Sequence, residues 1–361
     1  MRLSSILLGL LLALPCLPSR ADEPSLQQMI GQMLMVGFVG TNPKAEGYRT
    51  VLQQAFEGKI GGVIYLGRNI RSLNTVRQMN KGLQGMSSGR PLFIAIDQEG
   101  GRIERLTSDV GFKEIPSAAA ISRNLDPEAA GEVYQNLAAQ LAILGFNLNL
   151  GPVVDLNINP DNPIVGRLDR SYSRDPVKVA SYARAFVEGH RGRGVLTSLK
   201  HFPGHGSSVA DTHKDAADVT DTWDEAELWP YRSLIASGHA DMIMSSHIIN
   251  RRLSGGVVAP ASLSRAVLVD LLRETMGFKG IVITDDLQMG AVTDDREFDE
   301  SVKAAVLAGN DILVFANDKS PDPHVPEKVA NVLALEAEDN PKMLERIRSA
   351  YENILKLKAG L

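Results

Sequence analysis

From Leu26 onward, short apolar runs rich in valine and isoleucine alternate with longer segments whose apolar residues recur at helical spacing. That alternation is the mark of βα units feeding a parallel sheet. The runs at 32–38, 62–66, 92–97, 146–156, 197–202, 242–247, 281–285 and 312–316 predict eight strands. Between them, 127–144, 176–191, 225–237, 264–276 and 299–308 predict helices, several opened by Asp or Ser caps, with Gly145, Gly238, Gly277 and Gly309 as stop signals. A last segment, 325–357, reads as helix with a break near Asn340-Pro341. Eight strands with alternating helices, and no glycine-rich phosphate fingerprint, favour an α/β fold built as a single (β/α)8 TIM-type barrel over an open doubly wound sheet. With no linker, low-complexity run or further repeat in view, 22–361 reads as one catalytic-sized domain.

The N-terminus breaks this pattern. Arg2 supplies a positive start, 6–14 an apolar core, and Ser19-Arg20-Ala21 a small-x-small cleavage site, so 1–21 reads as a signal peptide removed before Asp22. The apolar run is shorter than the roughly 20 residues a membrane span needs, and no span is expected. Cys16 is an alternative lipidation site that Pro15 beside it and Ala13 three before it fit poorly. The expected location is therefore periplasmic or secreted.

Losing Arg2 and Arg20 takes the formal charge from −5 to −7 (−5 − 2), which argues against a nucleic-acid or anionic-membrane partner. The same cut removes the only cysteine, so the mature chain has neither disulfide nor thiol chemistry. It must hold together by its core, for which 44% hydrophobic and 22% charged residues are ample.

The densest polar stretch is Lys200-His201-Phe202-Pro203-Gly204-His205-Gly206-Ser207-Ser208-Val209-Ala210-Asp211-Thr212-His213, directly after an apolar run and studded with glycines and a proline that forbid a regular helix. In a (β/α)8 barrel, catalytic groups sit at the C-terminal ends of strands and in the loops beyond. Asp97 ends the third strand, before Glu99 and Arg105. Asp155 ends the fourth, with Arg167 and Arg170 beyond it. Lys200 and His201 end the fifth, His247 the sixth, and Asp285-Asp286 the seventh. Any one of these alone could be a helix cap or a local ion pair. Asp286, placed to cap the helix that follows, fits that description best, and Arg105 and Arg170 could be salt-bridge partners of Asp97 or Asp155. Five consecutive strands aiming ionisable groups at one mouth is harder to explain that way.

A strand-end carboxylate facing a second proton-exchanging group is what a retaining glycosidase needs: one attacks the anomeric carbon, the other gives and then takes a proton. Asp285 can be the nucleophile. His213 can be the acid/base, with Asp211 orienting it and raising its basicity, carried on a glycine-rich loop that reaches the sugar on closing. Two other readings stay open. His201, His205, Asp211, His213 and Asp285 are possible zinc ligands, although no strict ligand spacing appears and Lys200 would repel a cation. A non-catalytic carbohydrate-binding barrel is the other.

Four stretches carry a resemblance: the Lys200–Gly206 run, Asp211-Thr212-His213, Ile96-Asp97-Gln98-Glu99-Gly100-Gly101-Arg102, and Gly277-Phe278-Lys279-Gly280-Ile281-Val282-Ile283-Thr284-Asp285-Asp286-Leu287. In order, and over nearly all of the mature chain, they resemble family 3 glycoside hydrolases, in particular the single-domain β-N-acetylhexosaminidases of the NagZ type. The resemblance implies that Asp285 forms a glycosyl-enzyme intermediate. It implies that Asp211 and His213 form the acid/base dyad, and that Asp97, Arg105, Arg170, Lys200 and His201 hold the hydroxyls and the acetamido-bearing sugar.

It also implies a monomer releasing terminal GlcNAc from peptidoglycan fragments or chitin-type oligosaccharides, without metal or organic cofactor; a β-glucosidase of the same family is the nearer enzymatic alternative. Two features depart from the family pattern. Val165–Tyr172 is longer than the usual Gly-x-Arg-Ser form, which makes Arg170 rather than Arg167 the choice for the pocket. NagZ enzymes proper work in the cytoplasm, so an export signal points to peptidoglycan turnover products or chitin oligosaccharides outside it.

Overall fold

In a computed structural model of the chain, which describes residues 24–87, 90–212, 217–293 and 296–361, the apolar runs become short parallel strands. We label them β1 Leu34–Gly37, β2 Gly62–Tyr65, β3 Phe93–Ile96, β4 Leu148–Asn149, β5 Leu196–Phe202, β6 Met242–Ser245, β7 Ile281–Asp286 and β8 Ile312–Phe315. Each pairs with its sequence neighbours and β1 pairs with β8, so the sheet closes on itself. β1, β2, β3, β6 and β8 are buried at every position, as strands covered by helices on one side and by barrel filling on the other must be. The closed barrel is the expected (β/α)8 architecture. A two-stranded parallel pair, Ala217–Asp218 with Ile248–Ile249, lies outside it.

Several helices follow their caps closely. Pro127–Leu144 and Pro176–Arg191 begin on Asp126 and Asp175, whose side chains accept from Ala129 N and Val177 N, each with proline in the first turn. The last segment divides as expected into Val325–Asp339 and Pro341–Lys358, with Asn340 closing one helix and capping the next.

Four elements differ from the sequence reading. The run 146–156 forms a strand only at Leu148–Asn149; beyond it the chain turns through Gly151-Pro152 and touches the barrel again at the Val153–Lys200 bridge. Proline has no N–H for a ladder, so the apolar pattern continues where the pairing cannot. Gln32 closes the helix Leu26–Gln32 rather than opening β1, because a capping box between Ser25 and Gln28 carries Met29 and Ile30 at helical spacing. The helix read at 225–237 divides into a 3₁₀ turn, Glu225–Leu228, and the α-helix Trp229–Ala236, with Pro230 in its first turn. The helix read at 264–276 is π-wound over Ala266–Thr275, and Met276 N donates back five residues to Leu271 O.

The face of the barrel away from the strand C-termini is closed by charge as well as by apolar packing. Asp311, fully buried ahead of β8, accepts from Arg273 at 2.6 Å, Arg346 at 3.2 Å and Val282 N at 2.9 Å. Lys358, near the end of the last helix, donates to Gln32 Oε1 at 2.8 Å and Gly61 O at 2.7 Å, and lies 4.6 Å from the centre of the Phe93 ring.

Burial, with Arg90 adding to it, pushes the Lys358 ammonium down to about 7. Between there and the pKa of a free lysine the unfolded chain binds the extra proton, so this group makes stability rise with pH across that window. Lys358→Met removes the slope. In urea titrations between pH 7 and 10, the stability of wild type relative to the variant is expected to climb by up to about 1.4 kcal/mol per pH unit. A pH-independent difference would mean that Lys358 keeps its proton in the folded state and that burial does not lower its pKa.

Candidate active site

At the C-terminal mouth of the barrel lies a cavity of about 210 Å³ lined by Asp97, Glu99, Arg105, Arg170, Lys200, His201, Thr212, Asp285, Asp286 and Asp318, with Ile64, Leu66, Leu150, Met244 and Met289 among its apolar walls. Seven of the sequence candidates meet here: Asp97, Arg105, Arg170, Lys200, His201, Asp285 and Asp286. Asp211 is half-buried and is not among the described lining residues; its neighbour Thr212 is. His213 lies outside the described residues, and with it the loop-borne acid/base.

Asp97 stands just past β3, next to Gln98. The buried Gln98 amide accepts from Arg105 N and Leu106 N at 3.0 Å each and donates to Leu106 O at 2.9 Å. Asn149 on β4 pairs with the Gln98 backbone in turn, at 3.0 and 2.9 Å. These bonds fold 98–106 into a tight loop that returns Arg105 to Asp97, 3.2 Å away.

Lys200, at the end of β5 and 3% exposed in its side chain, reaches Asp97 at 2.8 Å and Glu99 at 2.6 Å. Arg170 grips Glu99 with both ends of its fork, Nε and Nη2 each at 2.8 Å, and donates Nη1 to Ile164 O at 2.8 Å. The partner of Arg170 is thus Glu99, not Asp97 or Asp155. Burial raises both carboxyls, but the cations outweigh it: Lys200 and Arg105 hold Asp97 below the usual carboxylate range, and Arg170 and Lys200 bring Glu99 down to about 2. Two anions and three cations are therefore all ionised here.

Asp155 is the other organiser. Its Oδ1 accepts the backbone N–H of His201 at 3.1 Å and of His205 at 2.8 Å, and its Oδ2 bonds His201 Nδ1 at 2.7 Å. A guanidinium only donates, so the 3.4 Å contact of Arg170 with His201 Nε2 makes that nitrogen the acceptor and Nδ1 the donor to Asp155. Burial would raise Asp155, yet His201 and His205 bring it down to about 2. His205 does not face the cavity; burial and then His201 push it down to about 4, and its Nε2 meets Thr212 Oγ1 at 3.3 Å.

Asp285 and Asp286 end β7 with different duties. Asp286 Oδ1 accepts Gln288 N at 3.1 Å, capping the turn that follows, and Ala316 N at 3.0 Å, tying β7 to the end of β8. Burial, with the charges of Asp285 and Asp318, pushes Asp286 up to about 6 although those two N–H groups oppose the change. Asp285 Oδ1 accepts Asp286 N at 2.8 Å and its carboxylate lines the cavity. His247 braces the pair from β6, donating Nε2–H to Asp286 O at 3.0 Å and accepting from Ser262 Oγ at 2.7 Å, so it supports the mouth without lining it.

The profile of the "Glycosyl hydrolase family 3 N terminal domain" matches residues 25–350. The chain belongs to glycosyl hydrolase family 3. A Beta-hexosaminidase of Tolumonas auensis is 36% identical over 266 residues, 72% of this chain and 77% of the relative. Among solved structures, a family 3 beta-N-acetylglucosaminidase from Paenibacillus sp. str. FPU-7 superposes with a TM-score of 0.85 at 31% identity, covering 94% of this chain but 63% of that one, so this chain spans less than two thirds of it. A Beta-N-acetylhexosaminidase from Beutenbergia cavernae DSM 12333 gives 0.83 at 30% identity, covering 93% of this chain and 99% of that one.

Two buried carboxylic groups near the mouth, Glu99 and Glu227, are not among the candidates that the sequence offers. Glu99 lies within the 96–102 stretch, where a carboxylate two residues past a strand-end Asp is itself a signal. Glu227 sits in an acidic helix start, Asp224-Glu225-Ala226-Glu227, that reads as ordinary first-turn charge. Among the described residues no group of three or more His, Cys, Asp or Glu is arranged to hold a metal ion. A second cavity, of about 350 Å³, lies between β1, the helix Glu46–Phe56 and the prolines 321, 323 and 326, but its walls are mainly apolar and bring no pair of acid/base groups together.

The choice between the two arginines is testable. Arg167 is largely exposed and meets only Asp161, at 3.4 Å, whereas Arg170 is buried against Glu99. Arg167→Ala is expected to leave kcat/KM within about twofold. Arg170→Ala leaves the buried Glu99 with Lys200 as its remaining cation and should cost at least ~100-fold, about 2.7 kcal/mol. Steady-state kinetics of both variants decide it; the reverse ranking would remove Arg170 from the site.

Proposed function

We propose that this chain is a retaining exo-β-N-acetylhexosaminidase that releases terminal N-acetylglucosamine through a covalent glycosyl-Asp285 intermediate. The observation that carries the reading is the Asp285 carboxylate at the end of β7, facing a small cavity whose opposite wall is the alternating set Asp97, Lys200, Glu99 and Arg170. The activities named for the Tolumonas, Paenibacillus and Beutenbergia relatives support it. At about 210 Å³ the cavity is below the ~300–1,000 Å³ of sites for drug-sized ligands, which suits one sugar ring and so exo action.

In the first step an Asp285 oxygen attacks the anomeric carbon as the glycosidic bond breaks, and His213 gives its proton to the departing oxygen. In the second, His213 takes a proton from water, whose oxygen displaces Asp285 and restores the β-anomer. Asp211 orients His213 and raises its basicity. Asp97, Arg105, Lys200, Arg170 and His201 hold hydroxyls and acetamido group by charge-assisted hydrogen bonds, which fix the ring for in-line attack. No step needs a metal or organic cofactor.

The leader-like segment 1–21, outside the described residues, supports export; peptidoglycan turnover fragments or chitin-derived oligosaccharides in the periplasm or beyond are then the substrates. No helix among the described residues is long and apolar enough to cross a membrane.

The test is release of nitrophenol from p-nitrophenyl β-N-acetylglucosaminide by residues 22–361 in the presence of a chelator, with the β-glucoside in parallel. Turnover of the acetamido sugar with the β-anomer released first is expected. Asp285→Asn should lower kcat at least ~1,000-fold by removing the nucleophile. Preference for the β-glucoside would replace the substrate assignment, and loss of activity on chelation would replace the mechanism.

A further inference from the structure

Glu227 is fully buried in the 3₁₀ turn Glu225–Leu228, on the far side of the histidine loop from the cavity, and no step above uses it. One oxygen, Oε2, accepts Gly206 N–H at 2.7 Å. The other, Oε1, is buried beside the Ser207 hydroxyl, and among the described residues neither atom makes a hydrogen bond of good geometry. Both glycines of the Pro203-Gly204-His205-Gly206 turn are shaped to this contact. A Cβ on Gly204, whose φ is +117°, would stand 2.5 Å from Glu227 Cβ; one on Gly206 would stand 1.7 Å from Leu156 O and 3.0 Å from Glu227 Oε2. The turn is thus pressed between Leu156 on one side and Glu227 on the other. Trp223, just ahead of the 3₁₀ turn, adds a bond from Nε1 to Pro203 O at 3.3 Å.

What this seat supports is the route to the cavity. From Gly206 the chain runs through Ser208, tied to Asn159 Nδ2 at 2.9 Å, to Thr212, tied to His205 Nε2 at 3.3 Å, and Thr212 lines the cavity. We propose that Glu227 is a positioning residue for the reaction, holding the Gly204–Ser207 turn so that the Asp211-Thr212 end of the loop is presented to the sugar pocket. The proposal rests on the reading of this loop as the carrier of the acid/base.

The charge state fits the role. The groups facing Glu227 are Gly206 and Ser207 from the loop, Asp155 from beyond β4, and Tyr231 one helical turn on. Burial first, then the Asp155 anion, push the Glu227 carboxyl up to about 8, against the N–H of Gly206 and the hydroxyl and N–H of Ser207. At neutral pH it is mainly a neutral acid: one oxygen accepts from Gly206, and the other faces the Ser207 hydroxyl. A glutamine keeps the acceptor and the shape; an aspartate stops one methylene short of Gly206; an alanine removes the seat.

Three variants and two leaving groups test this. Glu227→Ala and Glu227→Asp should lower kcat on p-nitrophenyl β-N-acetylglucosaminide by ~10- to 100-fold, the scale of an impaired proton transfer, with KM within ~threefold, whereas Glu227→Gln should keep kcat within ~threefold. On the 2,4-dinitrophenyl glycoside, whose leaving group departs without a proton, the deficit of Glu227→Ala and Glu227→Asp in kcat/KM, which reports the glycosylation step alone, should shrink to about fivefold or less. Amide exchange over 204–212 should speed up at least ~tenfold in Glu227→Ala and Glu227→Asp and stay at the wild-type rate in Glu227→Gln.

Equal losses of kcat/KM on both leaving groups, a Glu227→Gln as impaired as Glu227→Asp, or unchanged exchange would overturn the proposal. If wild type turned over neither glycoside, the enzymatic reading would fail, and the exchange comparison would still decide whether Glu227 seats the loop.

Discussion

Four ionised side chains, Asp97, Lys200, Glu99 and Arg170, are joined end to end at the barrel mouth with almost no access to water. Each ion taken out of water costs several kcal/mol, which its partner recovers only in good geometry, so none of the four is stable without the next. The chain of charges ties the end of β3 to the end of β5 and to the loop beyond β4, three elements remote in sequence. It also leaves a surface of alternating donors and acceptors that are already desolvated and oriented. A sugar that replaces the remaining water there meets groups that need not reorganise, the condition under which charge-assisted hydrogen bonds orient a substrate well.

Asp155 extends the same principle to the backbone. One buried carboxylate takes two N–H groups and one imidazole N–H from the His201–His205 stretch, so the histidine loop leaves β5 in one conformation. The second face of that loop rests on Glu227, an acid whose neutral form suits a site already holding the Asp155 anion. Anion on one side and neutral acid on the other is a consistent division, because two carboxylates flanking the same buried turn would repel each other. Asp285 is held differently. It sits on a strand of the barrel wall and is backed by Asp286 and His247, whereas the Asp211-Thr212 stretch hangs from the loop. The proposed nucleophile and the proposed loop-borne proton donor would thus be kept on separate supports.

The charged groups of the opposite face fasten the fold. Asp311 with two arginines, and Lys358 with Gln32 and Gly61, fasten the last two strands and the last helix across the barrel base. Charged clusters at both ends of one barrel therefore do different work: the mouth exposes its charges to a cavity, and the base turns them inward as pins.

Alternating apolar runs and capped helices determined the barrel. Pro127–Leu144 and Pro176–Arg191 were legible to the residue because Asp caps, first-turn prolines and, at Gly145, a left-handed stop act within a few positions of one another. Strand-end Asp97, Lys200, His201 and Asp285 were legible because a barrel sends strand ends to one mouth. Tertiary structure alone decided the rest. Valine and leucine at 146–156 could not reveal that the ladder stops at Asn149, since pairing depends on the partner strand. A motif resemblance favours Arg170 over Arg167, but that its partner is Glu99 rather than Asp97 or Asp155 appears only in the fold. Glu227 gave no sign at all, for its neighbour Gly206 lies 21 residues away and is brought to it only by the packing of one loop on the next. Local chemistry is written in local sequence; a buried partner across the barrel is not.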